Sequence, residues 1–218
     1  MTPSEPGCCH PRYSVFDERV AREELETYRE KGPDAQNREL LAALASQGVA
    51  GATAVDIGAG VGILGHGLVA AGAARVTDVD GTPAFLAAAR DEAARRGSLD
   101  RWTFLEGDYV TLADDIGPVE VTTLGRVLCC YADWRELVEA STARTQRLYG
   151  VVYPVSRWWL RLAATLVNPV ARLTRRRMRL HVHPDREVDA AIRAAGFRRI
   201  HASRGLIWQT ILYRRLAT

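Results

Sequence analysis

Lysine is almost absent from this chain. Lysine and arginine total 29, and Lys31 is the only lysine. Arginine therefore carries nearly all the positive charge, as planar forks suited to carboxylate or phosphate. Acidic residues are missing altogether between Ala140 and Pro184, a stretch that holds nine arginines. Cysteine is scarce too, and its four copies fall in two adjacent pairs, Cys8-Cys9 and Cys129-Cys130. That pattern excludes a disulfide framework and does not have the spacing of a zinc ribbon. If the two pairs met in space they would suit a soft metal or metalloid, with His10 nearby. Otherwise Cys129 and Cys130 are small apolar filling. No run of about 18 uncharged apolar residues exists, so no membrane span is expected. No secretory leader pattern opens the sequence, so a cytoplasmic protein is expected.

What is present suits an α/β domain. The 218 residues, 47% of them apolar, provide ample core for a sheet with helices on both faces. A charged helical pattern from about Arg12 to Glu30 ends at Gly32-Pro33, and Asp34 is placed to cap a second helix, Ala35 to Gln47. Strands then alternate with helices. Strands are expected at 52–57, 75–79, 102–106, 119–124 and 148–153, with helices at 63–71, 83–96 and 134–145. An amphipathic, Trp-bearing helix or helix pair follows from Ser156 to Leu173, interrupted at Asn168-Pro169. A helix at 185–195 and a closing hairpin, 197–203 and 206–214, complete the pattern. The expected fold is a Rossmann-like, seven-stranded, mostly parallel sheet with an antiparallel C-terminal hairpin. The expected organisation is an N-terminal arm and cap helix over residues 1–34, then one domain over 35–218 with a helical lid at about 155–183.

The most informative stretch is Asp56-Ile57-Gly58-Ala59-Gly60-Val61-Gly62. It reads as a buried strand that breaks into alternating glycines and enters a helix at Ile63. Backbone that passes close to a ligand needs glycine, since a Cβ would block the approach. The helix N-terminus behind it offers free N–H groups. Gly60-Val61-Gly62-Ile63-Leu64-Gly65 also matches the dinucleotide fingerprint. A carboxylate just before the turn argues against a pyrophosphate there, whereas an ammonium and a sulfonium would welcome it. The wider string resembles the first motif of the class I S-adenosylmethionine (SAM) dependent methyltransferases.

That resemblance runs from about Ala35 to Arg214, and it implies ligand residues at the strand ends. Asp56, Gly58, Gly60 and Gly62 belong to the first strand and its turn. Asp80, in Asp80-Gly81, follows the second strand, where an acid accepts the ribose hydroxyls. Asp108-Tyr109 follows the third and resembles the family's adenine motif, with Asp108 on the amino group and Tyr109 against the ring. Arg126 follows the fourth and joins the expected cofactor set. SAM is the expected cofactor, and no metal is expected.

A looser resemblance, to the magnesium-protoporphyrin O-methyltransferase group, rests on Arg29-Glu30-Lys31-Gly32, Asn37-Arg38-Glu39-Leu40, the segment 124–134, and an insertion ending in His181-Val182-His183. That group carries a His-Tyr pair after the fourth strand, where this chain has Cys130-Tyr131, so a histidine base does not carry over to Cys130. The expected reaction is SN2 methyl transfer to a small, fairly apolar, anionic acceptor. A carboxylate acceptor needs no base; a phenol or amine would draw on Tyr131, His181 or His183. Tyr28, Cys130, Arg157, Trp158, Trp159 and Arg161 are the expected acceptor contacts. Three alternatives stay open: another SAM-consuming reaction such as intramolecular displacement, a nicotinamide-dependent oxidoreductase, and a thiolate-based metal binder. The arginine stretch, interleaved with Trp and Leu at helical spacing, fits a lid or a weak interfacial contact better than nucleic acid. A monomer or homodimer is expected.

Overall fold

The computed structural model describes residues 17–173 and 181–217. Helix α1 (Glu18–Lys31) is capped by Asp17, which accepts from the Val20 N–H, and it ends at Gly32 with φ 71°. Helix α2 (Ala35–Ala45) is capped by Asp34, which accepts from the Gln36 and Asn37 N–H groups. Then come β1 (Thr53–Ile57), α3 (Ile63–Ala70), β2 (Arg75–Asp80), α4 (Pro83–Arg95) and β3 (Trp102–Glu106). A one-turn α5 (Tyr109–Leu112) precedes β4 (Val119–Gly125), and a 3-10 turn at Leu128–Cys130 precedes α6 (Trp134–Arg144). The chain continues through β5 (Thr145–Pro154), α7 (Trp158–Leu173), α8 (Asp185–Ala194), β6 (Phe197–Arg204) and β7 (Trp208–Arg215).

The seven strands lie in the order β3-β2-β1-β4-β5-β7-β6. All pairs from β3 to β5 are parallel, and β7 is antiparallel to both its neighbours. The all-parallel dinucleotide fold has no such inserted strand. Side chains alternate between the two faces. Val55, Ile57, Val79, Tyr149 and Tyr213 pack toward α6 and α8. Ala54, Val76, Val121, Leu148 and Leu212 pack toward α2 and α3. Helix α1 adds a third cluster: Ala21, Leu25 and Tyr28 form one helical stripe against Val61, Phe85 and Ala88.

Two expectations are corrected. Helix α7 is a single helix that runs on through Asn168-Pro169. A proline forfeits one N–H bond, and the turns on either side carry the helix past it. The second hairpin strand begins at Trp208, leaving Leu206 and Ile207 exposed in the turn. Cys8, Cys9 and His10 of the envisaged thiolate site lie outside the described residues, as do Arg175, Arg176, Arg177 and Arg179.

Candidate cofactor cleft and active site

The glycine turn after β1 is held from below by β2. The Gly58 and Ala59 N–H groups donate to the Val79 carbonyl at 2.8 and 3.3 Å. Gly58, Gly60 and Gly62 all have positive φ, at 63°, 58° and 75°, conformations that glycine adopts without steric cost. A Cβ at Gly58 would lie 2.5 Å from Val127 Cγ2, so the turn and the segment after β4 are in close contact. Gly65 serves packing: a Cβ there would meet the Trp102 ring at 2.7 Å and Asp78 Oδ1 at 2.9 Å. The third glycine of the apparent dinucleotide fingerprint thus seats α3 on the sheet.

Asp80 sits at the end of β2, 5% exposed. It accepts from the Gly60 N–H at 3.0 Å and the Thr82 N–H at 2.8 Å. Burial raises its pKa, the two N–H bonds oppose that rise, and the nearby Cys130 thiol adds to it. Gly81 follows, joining Asp80 to α4. Asp56 and Asp78 are register partners on β1 and β2. Strand alternation turns both beneath α3. Asp56 accepts from Thr123 Oγ1 at 2.7 Å, and burial pushes its carboxyl up to about 7. Asp78 is fully buried with neither oxygen hydrogen-bonded among the described residues. His66, buried beside it, is pushed down to about 4 by burial.

Asp108 caps α5, accepting from the Val110 N–H, and also accepts from Tyr131 Oη at 2.5 Å. A predicted cofactor residue and a predicted catalytic residue are thus joined to each other. Arg126 has φ 64°, alone among the described non-glycine residues in being left-handed. Its Nη2 lies 2.8 Å from Asp34 Oδ1 and donates to Gln36 Oε1 at 3.1 Å, and its guanidinium lies over the Trp208 ring. The residue fastens the start of α2 to the ends of β4 and β7.

Several expected contacts sit elsewhere. The Tyr109 ring is 1% exposed inside the core, and burial pushes its hydroxyl up to about 12, so it offers no face to adenine in this conformation. Tyr28 lies on the stripe of α1 that packs inward, 6.0 Å from the His66 ring and under the Arg96 guanidinium. It faces α3 and α4 instead of an acceptor. His183 bonds the Leu128 carbonyl through Nε2 at 2.9 Å, and burial lowers its pKa. His181 stacks on His183, and its backbone N–H donates to the Cys129 carbonyl. The pair therefore braces the turn after β4. Cys129 is buried and donates its thiol to the Arg126 carbonyl at 3.1 Å; Cys130 beside it is half-buried.

At the C-terminal ends of β5 and β6 lies a cavity of about 850 Å³. Its lining sets Arg157, Arg161, Arg186, Arg199 and Arg204 among the carboxylates Asp185, Glu187 and Asp189, with Tyr153, Ala202 and Ile211. The Tyr153 hydroxyl is buried with no hydrogen-bond partner among the described residues. Arg204 pairs with Asp185, which also holds the Ser156 N–H and Gln209. Above it, Trp158, Leu162 and Leu166 project from one exposed face of α7. Trp159 is half-buried. Among the described residues no cluster of three or more His, Cys, Asp or Glu side chains is placed to hold a metal, and no helix is long and apolar enough to cross a membrane.

Residues 54–147 match the family described as a methyltransferase domain. The magnesium protoporphyrin IX methyltransferase of Synechocystis PCC 6803, solved with bound S-adenosylhomocysteine (SAH), superposes with a TM-score of 0.69 at 18% identity, covering 94% of this chain and 100% of that one. An O-methyltransferase family protein from Burkholderia thailandensis superposes at 0.68 with 16% identity, covering 97% of this chain and 64% of that one. The [4+2]-cyclase SpnF does so at 0.62 with 14% identity, covering 82% and 81%. At such identities the likeness is one of fold. No curated protein sequence matches the chain. The methyltransferase-domain match runs from β1 into β5, and the sheet with its seventh strand inserted antiparallel is the fold that the chain shares with SAM-dependent methyltransferases, the magnesium-protoporphyrin enzyme among them.

Proposed function

We propose that this enzyme transfers the SAM methyl group to a small, fairly apolar acceptor that carries an anionic group. The observation that carries this reading is the cavity at the ends of β5 and β6, whose lining sets five arginines against three carboxylates. Its volume suits a small-molecule ligand, and Arg157 and Arg161 offer forks for a carboxylate or phosphate. Neighbouring strands lie about 4.8 Å apart, so the end of β5 stands roughly 10 Å from the end of β1, with β4 between them. An acceptor whose anionic end rests in the cavity would reach the turn after β4 with its reactive end. Trp158 and Trp159 would cover its apolar body.

The glycine turn fits the cofactor at Gly60, above which, among the described residues beyond its chain neighbours, only Glu24 Oε1 comes within 4 Å of where a Cβ would lie. Asp80 would take the ribose hydroxyls and Asp108 the adenine amino group, with Gly58, Gly60, Gly62 and Gly81 shaping the floor. Arg126 would set the charge at the methionine end, with Asp56 buried behind the turn. When bound, SAM supplies a methyl group already activated by its sulfonium. The residues of this chain orient the two partners and exclude water. An acceptor carboxylate needs no base. For a phenol, Tyr131, His181 and His183 stand closest to the task, but all three hold other partners here. A reaction other than methylation on the same fold is a second reading, since a [4+2]-cyclase shares that fold.

Calorimetric titration with SAH, against Asp80→Ala as control, tests the cofactor site. Micromolar binding lost in the variant supports it; absence of binding in folded wild-type protein refutes it. Product screening with anionic acceptors, in the wild type and in Arg157→Ala/Arg161→Ala, then tests the substrate class.

A further inference from the structure

Helix α1 lies against the glycine turn, and the packing decides which of its side chains overhangs the turn. Ala21, Leu25 and Tyr28 face inward onto Val61 and α4. Glu24 stands on the flank of that stripe, three residues beyond Ala21. Its Oε1 lies 3.5 Å from where a Cβ of Gly60 would be, and apart from Gly60 and its chain neighbours no other atom of the described residues comes within 4 Å of that point. The carboxylate thus hangs directly over the middle glycine, although part of the residue faces solvent. Surrounding protein desolvates the carboxyl and raises its pKa; Arg126 pulls it back, and Asp80 and Asp34 push it up. Three carboxylates, Glu24, Asp34 and Asp80, therefore share this end of the cleft with one guanidinium, that of Arg126.

An excess of negative charge over a glycine floor calls for a cation. Asp80 is already engaged by the Gly60 and Thr82 N–H groups, and Asp34 by Arg126 and its own helix cap. No hydrogen bond or ion pair to Glu24 occurs among the described residues. On the reading that this cleft holds SAM, we infer that Glu24 is a cofactor-binding residue that takes the α-ammonium of the methionine portion, with Arg126 beside it for the α-carboxylate. The amino-acid end of the cofactor would then be recognised by an opposed charge pair from two elements, α1 and the turn after β4. Helix α1 would be a working wall of the cleft, and its docking would be linked to cofactor binding.

The test compares two ligands on the full chain. SAH carries the α-ammonium; 5′-methylthioadenosine has the same nucleoside without the amino acid. Both are titrated calorimetrically into the wild type, Glu24→Gln and Glu23→Gln. Glu23 lies on the outer face, paired with Arg19. Loss of a charge-assisted hydrogen bond is expected to weaken SAH about tenfold or more in Glu24→Gln. Methylthioadenosine binding should stay within about twofold on the same argument, and Glu23→Gln should match the wild type with both ligands. Equal weakening of both ligands by Glu24→Gln, or unchanged SAH binding, would overturn the inference while leaving the SAM site intact. Wild-type protein that binds neither ligand would overturn the SAM reading itself. Where methylthioadenosine is too weak to titrate, Glu24→Asp decides: partial recovery of SAH affinity supports a charge contact, and a loss equal to Glu24→Gln refutes it.

Discussion

Tyr131 Oη donates a hydrogen bond of 2.5 Å to Asp108 Oδ1, across 23 residues of sequence. The bond joins the turn after β4 to the cap of α5, so it fixes one wall of the cleft relative to the other. A phenol proton held by a carboxylate is poorly placed to leave as part of base catalysis. Tyr131 is then a positioning residue that sets where Asp108 points. Tyr131→Phe is expected to raise KM for SAM roughly three- to tenfold, the equivalent of one ordinary hydrogen bond, with kcat changed less than about twofold. A steady-state split of KM and kcat checks this. A kcat loss of about a hundredfold would instead return Tyr131 to the role of base.

Glu92 is the buried anchor of α1. Its side chain is fully buried and meets Arg29 of α1 at 2.8 Å, Arg95 at 2.6 Å and Arg96 at 2.7 Å. Arg95 contributes most to holding its carboxyl well below the usual carboxylate range. The linkage sign follows: the stabilisation is complete above about 4.5, the ordinary value, and is lost as pH falls toward the depressed folded value. Breaking a fully buried pair costs about 3–5 kcal/mol, but these arginines are partly exposed, so Glu92→Gln should cost on the order of 2 kcal/mol. That corresponds to a Tm lower by about 4–8 °C for a chain of this size. Thermal melts at pH 7 measure it. SAH affinity should fall as well, because α1 carries Glu24 over Gly60.

The fold was legible because each of its signals was periodic or punctuated. Strand–helix alternation and the glycines after β1 set the order of elements, and Asp34 and Pro83 marked helix starts. The ligand side chains were less legible. Tyr109 follows Asp108 in a helix of one turn, too short for any period to reveal that its ring points into the core. Tyr28 looked like a free aromatic on a charged helix, yet it shares a stripe with Ala21 and Leu25. Glu24 could not be told from Glu23 and Glu26 beside it, since only the tertiary docking of α1 brings one of the three over Gly60. His181 and His183 had the chemistry of bases, and nothing local announced that the His183 ring would bond the Leu128 carbonyl with the His181 ring stacked on it.

Asp78 makes the stability of this enzyme depend on pH. It is buried beside Asp56 with no hydrogen-bond partner among the described residues, and burial raises its pKa well above the ordinary value of 3.8. A folded pKa above the unfolded one means that the native state holds the proton more tightly. Stability is therefore greatest in the acid range and is lost as pH climbs from about 4 through the raised folded value. Asp56, at about 7, acts in the same direction. His66 acts oppositely, losing stability as pH falls from 6.5 toward about 4. Asp78→Asn keeps the shape and removes the ionisation. Its Tm should match the wild type below about pH 4 and exceed it by a growing margin as pH rises toward about 8. Melting curves across that range decide it; a uniform shift at every pH would mean that titration is not the cause.

Arg126 combines a strained backbone with an engaged side chain, and the two can be separated. A non-glycine residue at φ 64° costs roughly 1 kcal/mol that glycine would not bear. Its guanidinium, bound to Asp34 and Gln36 and lying over Trp208, offsets that cost. Arg126→Ala loses the side-chain contacts and keeps the strain. Arg126→Gly loses the same contacts and relieves it. The glycine variant should therefore be more stable than the alanine variant by about 1 kcal/mol, a Tm difference of roughly 2–4 °C. Both should bind SAH more weakly than the wild type and by similar factors, since affinity follows the lost guanidinium and not the backbone. Alanine and glycine variants of equal stability would show that the chain after β4 relaxes out of the left-handed conformation once the guanidinium is gone. The latch between α2 and Trp208 would then be what holds Arg126 there.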